Sequence, residues 1–143
     1  LDFALPAVVE VPSATGWEDA VAVIAADGAE RVGVRVGTDV APRLAAAAAR
    51  GAVAVVTGAA PGAQGDASLP GVLNLLAAAA SADDVSRVAA LLTERDPAAL
   101  LAIVASADPR AVRGRLASVG CADVAATLAD LRALGLLEEG DTT

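Results

Sequence analysis

Histidine, methionine, tyrosine and lysine are absent from this sequence, cysteine occurs once, and aromatic residues amount to 1%. Each absence removes a class of chemistry. Without histidine no side chain has an ordinary pKa near neutrality, and there is no imidazole to ligate a metal. Without lysine there is no Schiff-base amine and no lysine for a phosphate-binding loop. The lone Cys121 excludes an intrachain disulfide and a cysteine-only metal site within one chain, so a reducing, cytoplasmic setting is expected. It has no basic neighbour in sequence, which argues against a nucleophilic thiol. All ten basic residues are arginine; against 18 acidic residues they leave a net charge of −8, with both signs scattered. That balance disfavours a nucleic-acid partner, because phosphate neutralisation dominates such binding. Apolar runs such as 75–80 and 98–105 stop far short of the roughly 20 residues of a membrane span, and no basic n-region marks a signal peptide. No membrane partner is expected.

What is present is apolar and thin. Apolar residues fill 56% of 143 positions, and alanine supplies much of the excess, so the core is expected from Val, Leu and Ala. The length fits one domain over 1–137, with 138–143 a frayed tail. The chain begins at Leu1, and Phe3-Ala4-Leu5-Pro6 reads like the interior of a longer polypeptide. Val9 and Val11 alternate with Val8 and Glu10 in a first strand over 7–11. Thr15 and Glu18 have capping-box spacing before a helix that turns Trp17, Val21 and Ile24 to one face and ends at Gly28. Val32, Val34 and Val36 alternate with Gly33 and Arg35 in a second strand, after which Thr38 or Asp39 caps a helix closed by Gly51. A third strand covers 53–57 and a helix 70–80; Ser81 can cap the next helix, with Asp83 and Asp84 in its first turn and Val85, Val88 and Leu92 inward. The stretch 99–105 reads equally as buried strand or helix. Asp108-Pro109 starts a short helix, 115–119 is a fourth strand, and Asp123 caps a last helix with a stripe of Val124, Leu128, Leu131 and Leu134. This alternation predicts an α/β fold: a parallel sheet of four to five strands, either half of a (β/α) barrel or a small open sheet.

The clearest place for a ligand lies between Ala52 and Ala80, where a strand opens into a glycine-rich loop and the loop feeds a helix. The run Thr57-Gly58-Ala59-Ala60-Pro61-Gly62-Ala63-Gln64-Gly65 approaches the TGxxxGxG fingerprint of short-chain dehydrogenases, yet Gln64 stands at the final glycine and the Tyr-x-x-x-Lys pair is missing. Backbone amides over 58–68 remain able to cradle a small anion, with Thr57, Gly58, Gly62, Gln64, Gly65, Asp66 and the nearby Asn74 as candidate binding residues; a plain connection is the competing reading. Glu10 and Arg35 lie on the face opposite the valines of consecutive strands, where they read as a structural bridge or as part of a polar site. Asp83-Asp84 and Glu138-Glu139 suit a helix start and a solvated tail. No catalytic residue, metal or cofactor is implied.

The run Leu69-Pro70-Gly71-Val72-Leu73-Asn74-Leu75-Leu76 and the segment 113–137 resemble the carboxyl-terminal half of an uncharacterised bacterial family of (β/α)-barrel-like proteins. The likeness extends to Val9–Pro12, Arg35, the Thr57 loop, the 118–120 strand end and Asp130-Leu131. Members of that family carry a lysine on the third of these strands, a histidine pair in the following loop and another histidine ahead of the Asn74 run. Here Val55, Pro61 with Gly62, and Pro70 stand at those places, and Cys121-Ala122 replaces a Ser-Cys pair. The resemblance implies the last half of a barrel in a divergent member without the family's presumed activity, one that retains Arg35, Thr57, Asn74 and Asp130. The expected function is a non-catalytic structural or accessory domain that pairs with a second copy of itself or with an amino-terminal half. The alternative is small-molecule or anion binding, or an enzymatic activity, at loop 58–68 together with Glu10, Arg35 and Asn74.

Overall fold

Valine and alanine supply the sheet. In the computed structural model β1 (Val8–Glu10), β2 (Arg31–Arg35), β3 (Ala54–Ala59) and β4 (Leu116–Cys121) form one four-stranded sheet in the order β1-β2-β3-β4. Every pairing is parallel, with Glu10 opposite Gly33, Gly33 opposite Val55 and Val55 opposite Ser118. The structure describes residues 7–27, 31–37, 39–66 and 68–138. Among them lie seven helices: α1 (Trp17–Asp27), α2 (Val40–Ala49), α3 (Val72–Ala80), α4 (Val85–Thr93), α5 (Pro97–Ser106), α6 (Pro109–Arg115) and α7 (Val124–Ala133). The α/β expectation holds, with four strands, in an arrangement that suits a half-barrel or a small open sheet.

Strand order follows chain order without reversal. Right-handed crossovers, nearly universal between parallel strands, then place the connecting helices on one face. The burial pattern agrees. Val11, Val32, Val34, Ala54 and Val56 are each at most 1% exposed, whereas Glu10, Arg35, Thr57 and Ser118 on the opposite face are exposed. One side of the sheet is therefore core and the other is bare. The alanines let α2 and α3 approach the strands closely: Ala45 and Ala47 on α2 and Ala77 and Ala78 on α3 are all buried. Leu73, Leu75 and Asn74 are buried on the same α3, which packs against α4, α5, α6 and β4.

Several local expectations are corrected. The helix at Trp17 begins after Gly16, at φ 92°, and Ala20 N donates to Gly16 O at 3.2 Å, so the start falls one residue beyond the Thr15 capping box. Asp39 precedes α2 in the left-handed region at φ 61°, away from the extended backbone a capping residue adopts, and its carboxylate instead accepts from Ser13 Oγ at 2.8 Å. Asp84, rather than Ser81, caps α4 by accepting from Ser86 N and Arg87 N, and Val85 is 47% exposed, so Leu91 joins Val88 and Leu92 inside. The 99–105 stretch is helical, as part of α5: Asp96 accepts from Ala98 N and Pro97 occupies the first turn, the same Asp-Pro start that opens α6. On α7 Asp123 caps as expected, but Val124 is 61% exposed and Thr127 is the buried residue. The leucine stripe is half-covered, and among the described residues no strand pairs with the outer edge of β4. The expectations for Gly28, Thr38 and the tail beyond Glu138 lie outside the described residues.

Candidate functional site

Two separate polar regions lie at the carboxyl ends of the strands, where α/β proteins usually place ligands. The first is the loop after β3. Gly62 has φ 91°, and its N–H donates to Thr127 Oγ1 at 3.1 Å. Ala63 N donates to Asp130 Oδ2 at 3.0 Å, and Gly65 N to Asn74 Oδ1 at 3.0 Å. The Gly62, Ala63 and Gly65 amides thus already face acceptors of this chain, and at Ala63 the acceptor is itself a carboxylate. Thr127 Oγ1 also donates to Asp123 O at 2.8 Å and lies 3.3 Å from the half-buried Cys121 Sγ.

Asn74 is the hub of this loop. Fully buried, it accepts from Gly65 N and Gly71 N through Oδ1 and donates to Leu91 O at 2.8 Å and Glu94 O at 2.9 Å through Nδ2. Those four bonds fill the amide's usual capacity and tie the loop, the start of α3 and the end of α4 together. Two glycines make the contact possible: a Cβ on Gly71 would lie 2.4 Å from Gln64 C, and one on Gly65 2.6 Å from Leu69 O. Asp66 folds the far side of the loop, accepting from Ser68 N, Ser68 Oγ and Leu69 N. The Ser68 backbone N–H, then its hydroxyl, the Leu69 N–H and the charge of Arg95 hold the Asp66 carboxyl below its ordinary range. Gln64 is exposed, Ala67 lies outside the described residues, and Thr57 and Gly58 sit beside Arg35 on the bare face. The loop is anchored to α7 at Gly62 and Ala63 and to α3 at Gly65.

The second region is an open cleft of about 540 Å³ at the ends of β1 and β2, bordered by Glu10, Ser13, Arg35, Asp39 and Arg43. Arg35 Nε lies 3.6 Å from Glu10 Oε1, on adjacent strands as the sequence suggests. Both side chains are largely in water, at 70% and 57% exposure, so the pair is a surface bridge. Beneath it Arg43, 2% exposed, donates from Nη1 to Val11 O at 2.8 Å, from Nη2 to Arg35 O at 3.0 Å and from Nε to Asp39 O at 3.2 Å. Burial pushes this guanidinium below its usual pKa, while the charges of Asp39 and Glu10 pull it back up. Sequence reasoning missed Arg43; its signal is a single cation inside an otherwise apolar helical run, Val40 to Ala49.

The structure thus brings Glu10, Arg35, Thr57 and Gly58 together on one face, and gathers Gly62, Gly65 and Asn74 into a separate structural knot. Among the described residues no group of three or more Cys, Asp or Glu is placed to hold a metal ion. No described helix is long and apolar enough to cross a membrane. Comparison of the chain with family models, curated proteins and solved structures finds no match.

Proposed function

We propose that this chain is a non-catalytic structural or accessory α/β domain whose bare sheet face and open sheet edges are covered by a second half. The observation that carries this reading is the one-sided sheet: helices cover the valine face, while Glu10, Arg35, Thr57 and Ser118 of the other face are exposed. An all-parallel sheet ordinarily has both faces covered, by crossover helices on either side or by closure into a barrel. The loop chemistry supports the same reading. Its inward amides serve Thr127, Asp130 and Asn74, which makes the glycine-rich segment a fastening between β3, α3 and α7. Val55, Pro61, Gly62 and Pro70 stand where the resembled family has its lysine and histidines, which supports a divergent member without that chemistry.

Sedimentation equilibrium on the purified chain tests the reading. Self-association, or solubility that depends on an added partner, is the expected result. A monodisperse 13.9 kDa monomer at micromolar concentration, unfolding cooperatively without any partner, overturns it.

A further inference from the structure

We infer that the covering half is a second copy of this chain, joined so that β4 of each copy adds onto β1 of the other. This rests on the preceding reading and names the partner. The two free edges are suited to each other. Arg31 N donates to Ala7 O and Val11 N to Gly33 O, so the odd-numbered main-chain groups of β1 serve β2. Those of Val8 and Glu10 alternate outward, to an edge with no neighbouring strand among the described residues. At the other end of the sheet the six residues of β4 leave a second edge. A twofold axis along the strands keeps all strands parallel and forms the β4–β1 junction twice. It yields eight strands, the number at which side chains fill a closed barrel.

Exposed apolar residues mark the same two borders. Among the described residues five large apolar side chains are exposed: Val8 (51%) and Val9 (37%) lie on the edge strand β1 itself, and Val23 (70%) and Val124 (61%) lie on α1 and α7, the helices that follow β1 and β4 in the chain. The fifth, Val85 on α4, lies elsewhere in the chain order and serves as a control. Beside α7 an apolar groove of about 300 Å³ against β4 adjoins another of about 390 Å³ against α6, with Leu76 and Leu131 common to both. Charge is complementary as well. Helix α1 carries Glu18, Asp19 and Asp27 and no basic residue, while α6 carries Arg110, Arg113 and Arg115 and no acidic one, and α7 carries one charge of each sign, Asp130 and Arg132. Packed around the twofold, α1 of one copy would lie beside α7 of the other and cover its half-buried leucines. The mouth then holds two Glu10–Arg35 pairs, one from each copy.

Sedimentation equilibrium on the full chain and three variants decides the matter. Val8→Pro removes an outward N–H without touching the ladder to β2, Val23→Asp places a charge on α1, and Val85→Asp alters α4 alone. The expected result is a dimer for wild type and Val85→Asp. In Val8→Pro and Val23→Asp the dissociation constant should rise by about tenfold or more, with the far-UV spectrum unchanged, as truncating a central interface residue does. A wild-type monomer that is soluble and unfolds cooperatively without any partner overturns both this inference and the reading beneath it. A wild-type chain that is soluble only with a different added partner overturns the inference alone. A dimer indifferent to Val8→Pro and Val23→Asp overturns the inference and leaves that reading standing. A ladder of ever larger species also overturns it, because edge pairing that fails to close continues indefinitely.

Discussion

Asn74, Arg43 and Asp66 show how much this thin-walled protein asks of individual polar side chains. Replacing Asn74 with Ala strands Gly65 N, Gly71 N, Leu91 O and Glu94 O at once. Urea denaturation of Asn74→Ala should show a loss of about 3 kcal/mol or more, the penalty of unsatisfied buried groups, whereas Gln64→Ala should stay within about 0.5 kcal/mol. Arg43→Met leaves Val11 O and Arg35 O without their donors and should cost about 3 kcal/mol. Arg43→Lys should not restore that loss, since a single ammonium cannot reproduce the guanidinium fork. Asp66 carries a pH dependence whose sign follows from its lowered folded pKa. Its contribution is complete above the unfolded value of about 3.9 and is lost as the pH falls through the folded value, where the folded chain must take up a proton. An NMR titration should show the Ser68 and Leu69 amides moving together in that acid window. In Asp66→Asn, which keeps an acceptor oxygen at every pH, the same amides should not titrate.

At the scale of elements, the loop after β3 and helix α7 form a single unit. Gly62 sits at φ 91°, and a Cβ there would lie 2.6 Å from Asp130 Oδ2. Gly62→Ala should therefore cost about 2 kcal/mol from backbone strain and from displacing Asp130. Thermal melts of Gly62→Ala and Asp130→Ala, alone and combined, check the coupling: penalties for two residues in one clamp should fall short of additive. The clamp was hidden in the sequence because Gly62 meets Thr127 across 65 residues, and Ala63 meets Asp130 across 67. No local pattern reports such a distance. The second strand was legible because Val32, Val34 and Val36 alternate with Gly33 and Arg35, and a period of two survives any tertiary arrangement. The nature of 99–105 was left open between strand and helix, although Asp96-Pro97 is a start signal of the kind read correctly at Asp108-Pro109. Its uniform apolarity obscured it, since a run without a polar face carries no helical period. Ser81 misled for a related reason: a serine, then two aspartates, offer three candidate caps in four residues, and backbone geometry chose Asp84.

For the whole molecule, the value of one surface bridge depends on what covers the sheet. The sequence placed Glu10 and Arg35 on a common face and left open whether that face is an interior; in a single copy it is solvent, and the two side chains are 57% and 70% exposed. An exposed pair at 3.6 Å contributes little, because water screens both charges and two long side chains must be held in one geometry. Arg35→Ala in dilute, monomeric protein should therefore change stability by less than about 1 kcal/mol. If a second half closes over the bare face, the same two charges are partly withdrawn from water. Removing one then strands the other, a far larger loss that grows with desolvation toward about 3 kcal/mol. Urea titrations of wild type and Arg35→Ala, each run well below and well above the concentration of self-association, should show a penalty that widens with assembly. A penalty equal at both concentrations would mean that the Glu10–Arg35 face stays in water in the associated form, and that any partner binds elsewhere on the domain.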